Sequence, residues 1–200
     1  MEGEDLIILD KLKNIKDGFY VDAGCYHPLH LNNTYLLHKM GWSGINIDLS
    51  EYTIDLFNYL RPGDHNVNAA VSNYDGDIKF YYQKKLSQIT SVKKELATKR
   101  MQGNIKVKKI KAHKLDTILE NGKFKNQKID LLNIDVEGGD YDALCSLNFD
   151  LYKPRLICIE IEEENIKDSN IYKYLRKLNY KKIWSSKSNL SHIFTEDAYN

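Results

Sequence analysis

Short apolar runs alternate with amphipathic helical patterns along almost the whole chain. Each run is four to eight residues long, which is typical of a strand, and several are apolar at nearly every position rather than at every second one. Such runs indicate strands that are buried on both faces of a sheet. Strands alternating with helices therefore predict an α/β fold, with a mostly parallel central sheet, helices on both faces and a C-terminal β-hairpin.

The individual elements follow from this pattern. The predicted strands are 19–23, 44–48, 67–71, 78–82, 105–110, 129–134 and 156–161, followed by a hairpin of 180–184 with 190–194. The predicted helices are 6–15, 33–40, 50–60, 115–119, 141–147 and 171–178. The pair Asp75-Gly76 is typical of a tight turn. We therefore expect it to join strand 67–71 to strand 78–82 as a second hairpin.

The length of 200 residues is that of a single domain, and neither repeats nor a Pro- or Gly-rich linker divides it. We assign residues 1–200 to one domain. Residues 1–18 form its N-terminal helix, and the Lys-rich stretch 84–104, which has weak periodicity, is a lid or substrate-binding segment. The very basic stretch 84–111 could hold a phosphorylated or anionic substrate or could simply be a solvated loop.

Charge and cysteine content exclude several classes of protein. The 29 basic side chains nearly balance the 28 acidic ones, which argues against a nucleic-acid-binding protein. No apolar run is long enough for a membrane span, and the acidic residues 2–5 are unlike a secretory signal. Three cysteines without C-x-x-C spacing and six histidines without a ligand motif predict no metal site. We expect reduced thiols and a cytoplasmic location.

Ligands of open α/β sheets bind beyond the carboxyl ends of the strands, so the residues there are the first candidates for a site. The first strand ends in Asp22-Ala23-Gly24, where a glycine allows a tight turn and close approach of a ligand. The second ends in Asp48, at a spacing that suits a carboxylate accepting hydrogen bonds from a ribose. Asp48 could instead be the N-cap of the helix that begins near Ser50.

The strand at 129–134 runs directly into Asp135 and Glu137, followed by Asp140. Acidic side chains at a buried strand end require hydrogen bonds, a counter-charge or a ligand. Packing cannot explain all three, although Asp140 could cap the next helix. Asp135 could act as a general base, orient a substrate or hold a metal ion. Glu160, at the end of the neighbouring strand, is a second candidate for the same site.

The chain resembles the FkbM-type family of S-adenosylmethionine-dependent methyltransferases. The matching stretches lie in the right order between residues 19 and 161: 19–28, 33–34, 41–48, 61–62, 66–72, 115–119, 129–138, 154 and 159–160. One departure concerns the first motif, which usually reads Gly-Ala-Asn in the family. Here Cys25 and Tyr26 follow Gly24, so an Asn side-chain contact cannot be carried over.

The resemblance implies a Rossmann-like class I methyltransferase fold with S-adenosylmethionine as cofactor. It implies that the first turn holds the methionine part, that the end of the second strand binds the ribose, and that residues 69–71 lie along the adenine. The residues that would contact the cofactor are Asp22, Ala23, Gly24, Tyr26, Asp48, Leu49, Ala70 and Asp135. The catalytic base would be Asp135 or Glu137, with Glu160 in support and His113 a less favoured candidate.

Members of the family commonly methylate sugar hydroxyls in surface polysaccharides, glycolipids and natural products. The resemblance therefore implies O-methylation of a small-molecule or glycan acceptor. One alternative is a methyltransferase in which Asp135, Glu137 and Glu160 hold a divalent ion that acidifies the acceptor. Another is a non-catalytic relative that binds a nucleotide-like ligand. Exposed hairpin edges would permit a homodimer.

Overall fold

The computed structural model describes residues 2–85, 87 and 89–197, and these residues form ten strands and seven α-helices. The strands are β1 (Phe19–Ala23), β2 (Ser43–Asp48), β3 (His65–Asn68), β4 (Ala70–Val71), β5 (Gly76–Tyr82), β6 (Lys106–His113), β7 (Leu131–Ile134), β8 (Leu156–Glu160), β9 (Tyr180–Ser185) and β10 (Ser191–Glu196). The helices are α1 (Glu4–Leu12), α2 (Tyr35–Lys39), α3 (Glu51–Leu60), α4 (Lys94–Arg100), α5 (Leu115–Asn121), α6 (Asp140–Cys145) and α7 (Asn170–Lys177), and a 3₁₀ turn covers Ile166–Asp168.

Seven strands form the main sheet in the order β3-β2-β1-β7-β8-β10-β9. The first five run parallel, and β10 is antiparallel to both of its neighbours. This arrangement confirms the predicted mostly parallel sheet and the C-terminal hairpin. The chain crosses from β3 at one edge back to β7 beside β1, so the carboxyl ends of β1, β2 and β7 share one edge of the sheet, where the strand order reverses.

The sheet is covered on both faces because neighbouring residues of its central strands point in opposite directions. Val21 belongs to a large apolar cluster that also contains residues of α5, α6 and α7. Tyr20 belongs to a second cluster, with Ile8 of α1 and Leu37 of α2. Every residue of β1 and β7 is buried, as their continuous apolar sequences predict. None of the helices in the described part of the chain is long and apolar enough to cross a membrane.

The structure differs from the predicted elements around residues 67–83. The expected strand 67–71 is divided at Ala69, because β3 belongs to the main sheet and β4 to a second sheet ordered β4-β6-β5. The hairpin predicted at Asp75-Gly76 is wrong, since β6 lies between β4 and β5 and pairs with both. Instead of closing a tight turn, the Asp75 carboxylate accepts hydrogen bonds from Thr117 Oγ1 (3.0 Å) and Lys114 N (3.3 Å).

Two further segments differ from the prediction. The helix in residues 1–18 is shorter than expected, and residues 84–104 are only partly helical. Helix α1 ends at Leu12, and residues 13–18 form turns that lead into β1. In the 84–104 segment the described residues contain one helix, α4, preceded by an extended stretch in which Ser91 pairs with Tyr81 of β5. Leu86 and Gln88 lie outside the described residues.

Candidate active site

A cleft of about 300 Å³ opens where β1, β2 and β7 end. It brings together seven of the eight residues predicted to contact a cofactor: Asp22, Gly24, Tyr26, Asp48, Leu49, Ala70 and Asp135. Ala23, the eighth, does not line the cleft; its carbonyl oxygen accepts a hydrogen bond from Asp135 N at 2.9 Å. Of the predicted catalytic acids, Asp135 and Glu137 line the cleft and Glu160 does not.

The turn after β1 approaches the end of β7 so closely that only glycine fits at position 24. Gly24 has a φ of 86°, and a Cβ there would lie 1.8 Å from the carbonyl oxygen of Asp135. Tyr26, two residues after Gly24 in the same turn, also has a positive φ, of 52°. Both the left-handed backbone and the close approach disfavour a side chain at this position. Because Gly24 has none, the ends of β1 and β7 can lie together on the floor of the cleft.

Asp22 is buried, and its carboxylate is fully occupied by neighbouring side chains. One oxygen accepts from Asn133 Nδ2 at 2.8 Å, and the other accepts from Thr34 Oγ1 at 3.0 Å and Asn32 Nδ2 at 3.1 Å. Burial raises the pKa of this carboxyl, and these hydrogen bonds oppose the rise. Asp22 therefore joins the loop before α2 to strand β7. The sequence predicted Asp22 as a site residue. The only sequence signal for the residues that hold its carboxylate was the Asn33-Thr34 motif.

Arg61 lies against the loop that borders the cleft, and the sequence analysis did not assign it to the site. It follows α3, is 1% exposed, and donates from Nη1 to Thr34 Oγ1 at 2.9 Å and from Nη2 to Asn32 Oδ1 at 2.9 Å. It also donates to the carbonyl oxygen of Pro28. One buried cation thus fixes the loop that borders the cleft. The Arg-Pro pair at 61–62 was the available signal, since it is one of the stretches that match the family, but no role was assigned to Arg61.

Asp48 lies at the end of β2, half-buried, with both carboxylate oxygens directed by backbone amides. One accepts from Tyr26 N at 3.0 Å and the other from Ser50 N at 2.7 Å. Burial raises the pKa of Asp48 to about 6. The N-cap of α3 is Ser50, whose Oγ accepts from Thr53 N at 3.2 Å. The interpretation of Asp48 as the helix cap is therefore wrong.

The three acids after β7 have different surroundings. The buried Asp140 accepts hydrogen bonds from Val136 N at 2.9 Å and Gly138 N at 3.0 Å, so it shapes the turn before α6. Glu137 forms an ion pair with Arg100 of α4. Asp135 is exposed to the cleft, and its carboxylate has no hydrogen-bond partner in the described part of the chain. Asp135 is therefore the acid available to a ligand.

The electrostatics of this site favour protonated carboxyls. The protein atoms around the cleft partly desolvate the Asp135 carboxyl, although it stays exposed to the cleft, and the charges of Glu160 and Asp140 repel its own, so its pKa rises to about 8. Burial and repulsion also raise the pKa of Glu137 to about 7, although Arg100 opposes the rise. A carboxyl with a pKa near neutrality can accept a proton and return it at physiological pH.

Glu160 lies beside Asp135 because β7 and β8 are parallel neighbours, paired at Ile134 and Ile159. Burial and the charges of Asp140 and Glu137 raise the pKa of Glu160 to about 7. Its Oε2 is buried and has no partner among the described residues. Across those same residues, no group of three or more His, Cys, Asp or Glu side chains is arranged to hold a metal ion.

The segment predicted to be a lid contributes to the wall of the cleft. Four of its residues line the cleft: Ser87, Ile89, Thr90 and Val92. Ser91 Oγ donates to the carbonyl oxygen of Glu137 at 2.8 Å, and Arg100 bridges Glu137 and Glu162. His113, the less favoured candidate base, lies outside the cleft, with its Nδ1 3.1 Å from the Asp75 carboxylate.

The sequence matches a family model described as the Methyltransferase FkbM domain over residues 22–182. No curated protein matches it. Among solved structures, a methyltransferase FkbM from Methylobacillus flagellatus KT has a TM-score of 0.54 and 10% identity, covering 90% of this chain and 43% of that one. This chain thus spans less than half of that protein's length.

A second structure, a TehB-like SAM-dependent methyltransferase from Corynebacterium glutamicum ATCC 13032 Kitasato, has a TM-score of 0.49 and 12% identity. It covers 96% of this chain and 87% of that one. At such identities, structural likeness speaks for the fold alone, and the Methylobacillus protein supports the Rossmann-like methyltransferase fold.

Proposed function

Because this chain belongs to the FkbM methyltransferase family, we propose that it uses S-adenosylmethionine to methylate a hydroxyl group, most simply that of a sugar. The observation that carries the proposal is that one cleft holds both Asp48, at the end of β2, and Asp135, directly after β7, whose carboxylate has no hydrogen-bond partner among the described residues. A ribose-binding acid and a catalytic acid are thus available on either side of the Gly24 turn.

The residues of the cleft fit this cofactor. Ala69, Ala70 and Val71 are apolar, nearly buried and line the cleft, so they offer a surface for a flat adenine ring. Asp48 is oriented by two backbone amides, and its remaining lone pairs can accept from ribose hydroxyls. Asp135 offers a carboxylate near a sulfonium cation. When bound, S-adenosylmethionine supplies a methyl group on a positively charged sulfur.

The work of the protein is then to align the acceptor and remove its proton. A sugar hydroxyl has a high pKa, so its oxygen becomes nucleophilic only as the proton leaves. Asp135 faces the cleft without a hydrogen-bond partner among the described residues, and it would take that proton as the carbon–oxygen bond forms. Glu137 is a weaker candidate because Arg100 engages its carboxylate. Glu160 would tune Asp135 through its charge.

The cofactor assignment is tested by calorimetric titration of the protein with S-adenosylmethionine and S-adenosylhomocysteine. We expect micromolar binding that weakens about tenfold or more in Asp48→Ala, since charged hydrogen bonds to the ribose are lost. Asp55→Ala removes an exposed acid from α3 outside the cleft and serves as the matched control.

Failure of the folded protein to bind either compound would refute the proposal and leave the family resemblance as ancestry alone. Where binding is found, formation of S-adenosylhomocysteine in the presence of a panel of neutral, amino and phosphorylated sugars tests the acceptor. Methylation of a nitrogen or a carbon in place of a hydroxyl would correct the reaction while preserving the cofactor assignment.

A further inference from the structure

The cleft continues past Asp135 to an end that the proposed cofactor residues do not account for. This end is lined by Glu4 in the first turn of α1, by Leu31 and Asn33 in the loop before α2, and by Ser191 at the start of β10. These residues are far apart in sequence, and the sequence analysis assigned none of them to a site. They meet here because α1 and the C-terminal hairpin pack near the end of β7.

Glu4 is an unusual lining residue because it is an acid that is only 3% exposed. One carboxylate oxygen accepts a hydrogen bond from Glu2 N at 2.5 Å, which orients the group. The positive end of the α1 dipole allows a negative charge in this position. Glu4 therefore presents an oriented carboxylate to the far end of the cleft.

One further acceptor atom near this end has no donor in the part of the chain that the structure describes. Asn33, which lines the cleft, donates from Nδ2 to Asn133 Oδ1 at 3.0 Å, and this leaves Asn33 Oδ1 buried and unpaired. A buried acceptor without a donor costs free energy, so a ligand that supplies O–H or N–H groups would be favoured here.

The charge of the cleft also favours a ligand that donates hydrogen bonds. Its described lining contains no lysine, arginine or histidine, and it contains five acids: Glu4, Asp22, Asp48, Asp135 and Glu137. Lys84, Lys85 and Lys108 line a separate pocket that shares Leu49 with the cleft. An anionic group beside Asp135 would therefore meet acidic side chains and no cation of the described lining.

We propose that Glu4, Asn33 and Ser191 form the acceptor subsite, and that it takes a group rich in hydrogen-bond donors without negative charge. Hydroxyls and an ammonium share this chemistry, as in a neutral or an amino sugar. A phosphate or carboxylate on the ring that enters the cleft is excluded. This inference rests on the proposed function, since it concerns the acceptor for methyl transfer. Glu4 acts as a binding residue rather than as the base.

Saturation-transfer NMR on the protein with S-adenosylhomocysteine tests the subsite, with glucose, glucosamine and glucose 6-phosphate as probes. We expect saturation transfer to glucose, to glucosamine or to both, and none to glucose 6-phosphate. Transfer to glucosamine alone would identify an ammonium as the recognised group, and transfer to both would identify hydroxyls. In Glu4→Gln we expect binding to weaken about tenfold, as when a charge-assisted hydrogen bond is lost.

Asp5→Asn is the matched control, because Asp5 lies in the same first turn of α1 but does not line the cleft. Both variants should keep the melting temperature and cofactor affinity of the unsubstituted protein. Binding of glucose 6-phosphate as strong as that of glucose, equal sugar binding by the two variants, or no transfer to any sugar would overturn the inference. Calorimetric cofactor binding separates these results from failure of the proposed function.

Discussion

At the scale of single residues, the site distinguishes two acids that stand only two positions apart. Glu137 has a φ of 54° and meets Arg100, whereas Asp135 faces the cleft with no partner in the described chain. An acid that is already paired is a poor proton acceptor, because taking a proton would break its ion pair. This difference supports our proposal that Asp135, rather than Glu137, removes the proton.

Replacement of Asp135 by Asn tests this assignment. The amide keeps the shape of the carboxyl but cannot accept the acceptor's proton, so we expect turnover to fall by about a hundredfold or more. Cofactor affinity measured by calorimetry should change far less. Glu137→Gln is the companion variant, for which a smaller loss is expected. Full turnover in Asp135→Asn would remove this residue from the mechanism.

The sequence predicted these acids but not their partners. Asp135 and Asp48 were found because each directly follows an apolar strand, and strand ends meet at one edge of a parallel sheet. Arg100 was not found because it lies in a Lys-rich segment in which no periodicity distinguishes one cation from another. Glu4 was missed for a related reason, since the amphipathic pattern of α1 accounts for its residues without any site.

At the scale of elements, the segment before β6 forms part of the cleft wall and is held there by a few specific contacts. Helix α4 has seven residues, too few to be stable by itself. It is held by Ser91, which exchanges two backbone hydrogen bonds with Tyr81 (2.8 and 3.2 Å), and by Arg100, which meets Glu137 and Glu162. Because Ser87, Ile89, Thr90 and Val92 line the cleft, we expect ligand exchange to depend on movement of this segment.

We therefore expect Arg100→Ala to speed the release of S-adenosylhomocysteine. Two partly exposed ion pairs are lost, which corresponds to a rise of about three- to tenfold in the dissociation rate. Stopped-flow measurement of that rate provides the test. Lys99→Ala, on the exposed side of the same helix, is the matched control. An unchanged rate in Arg100→Ala would show that this contact does not limit exchange.

Long-range pairing explains the errors made at this scale. Local sequence gave Asp75-Gly76 the chemistry of a tight turn, but β6 lies between β4 and β5 and competes for the same backbone groups. Strand β6, which pairs with β5, begins only at Lys106, so patterns among neighbouring residues cannot reveal this pairing. The C-terminal hairpin was predictable because β9 and β10 are neighbours both in sequence and in the sheet.

At the scale of the whole molecule, the fold separates charges that nearly cancel in the sequence. The net charge is +1, but five acids line the cleft, while exposed lysines cover β6 (Lys106, Lys108, Lys109 and Lys111). The topology produces most of this separation, since four of the acids (Asp22, Asp48, Asp135 and Glu137) lie at or just after the ends of parallel strands, whereas the lysines lie in the second sheet. The cleft suits a cationic cofactor, and its crowded carboxyls oppose ionisation.

This crowding makes the stability of the free protein depend on pH. The pKa values of Asp135 (about 8), Glu137 (about 7) and Glu160 (about 7) lie above their ordinary values of 3.8, 4.5 and 4.5. Between pH 6.5 and 8 the folded protein therefore binds more protons than the unfolded chain, so the free energy of unfolding falls as pH rises. Below pH 6.5 the buried His192, whose pKa is lowered to about 4, has the opposite effect.

Calorimetric unfolding without ligand should accordingly show a melting temperature that decreases from pH 6.5 to pH 8. Asp135→Asn should flatten this dependence, because the amide does not titrate, and it should raise the melting temperature most at pH 8. Asp142→Asn, a substitution in α6 away from the cleft lining, should leave the slope unchanged. A melting temperature that is constant or rises over this range would mean that water filling the cleft already solvates the Asp135 carboxylate, and its pKa would then be close to that of an ordinary aspartate.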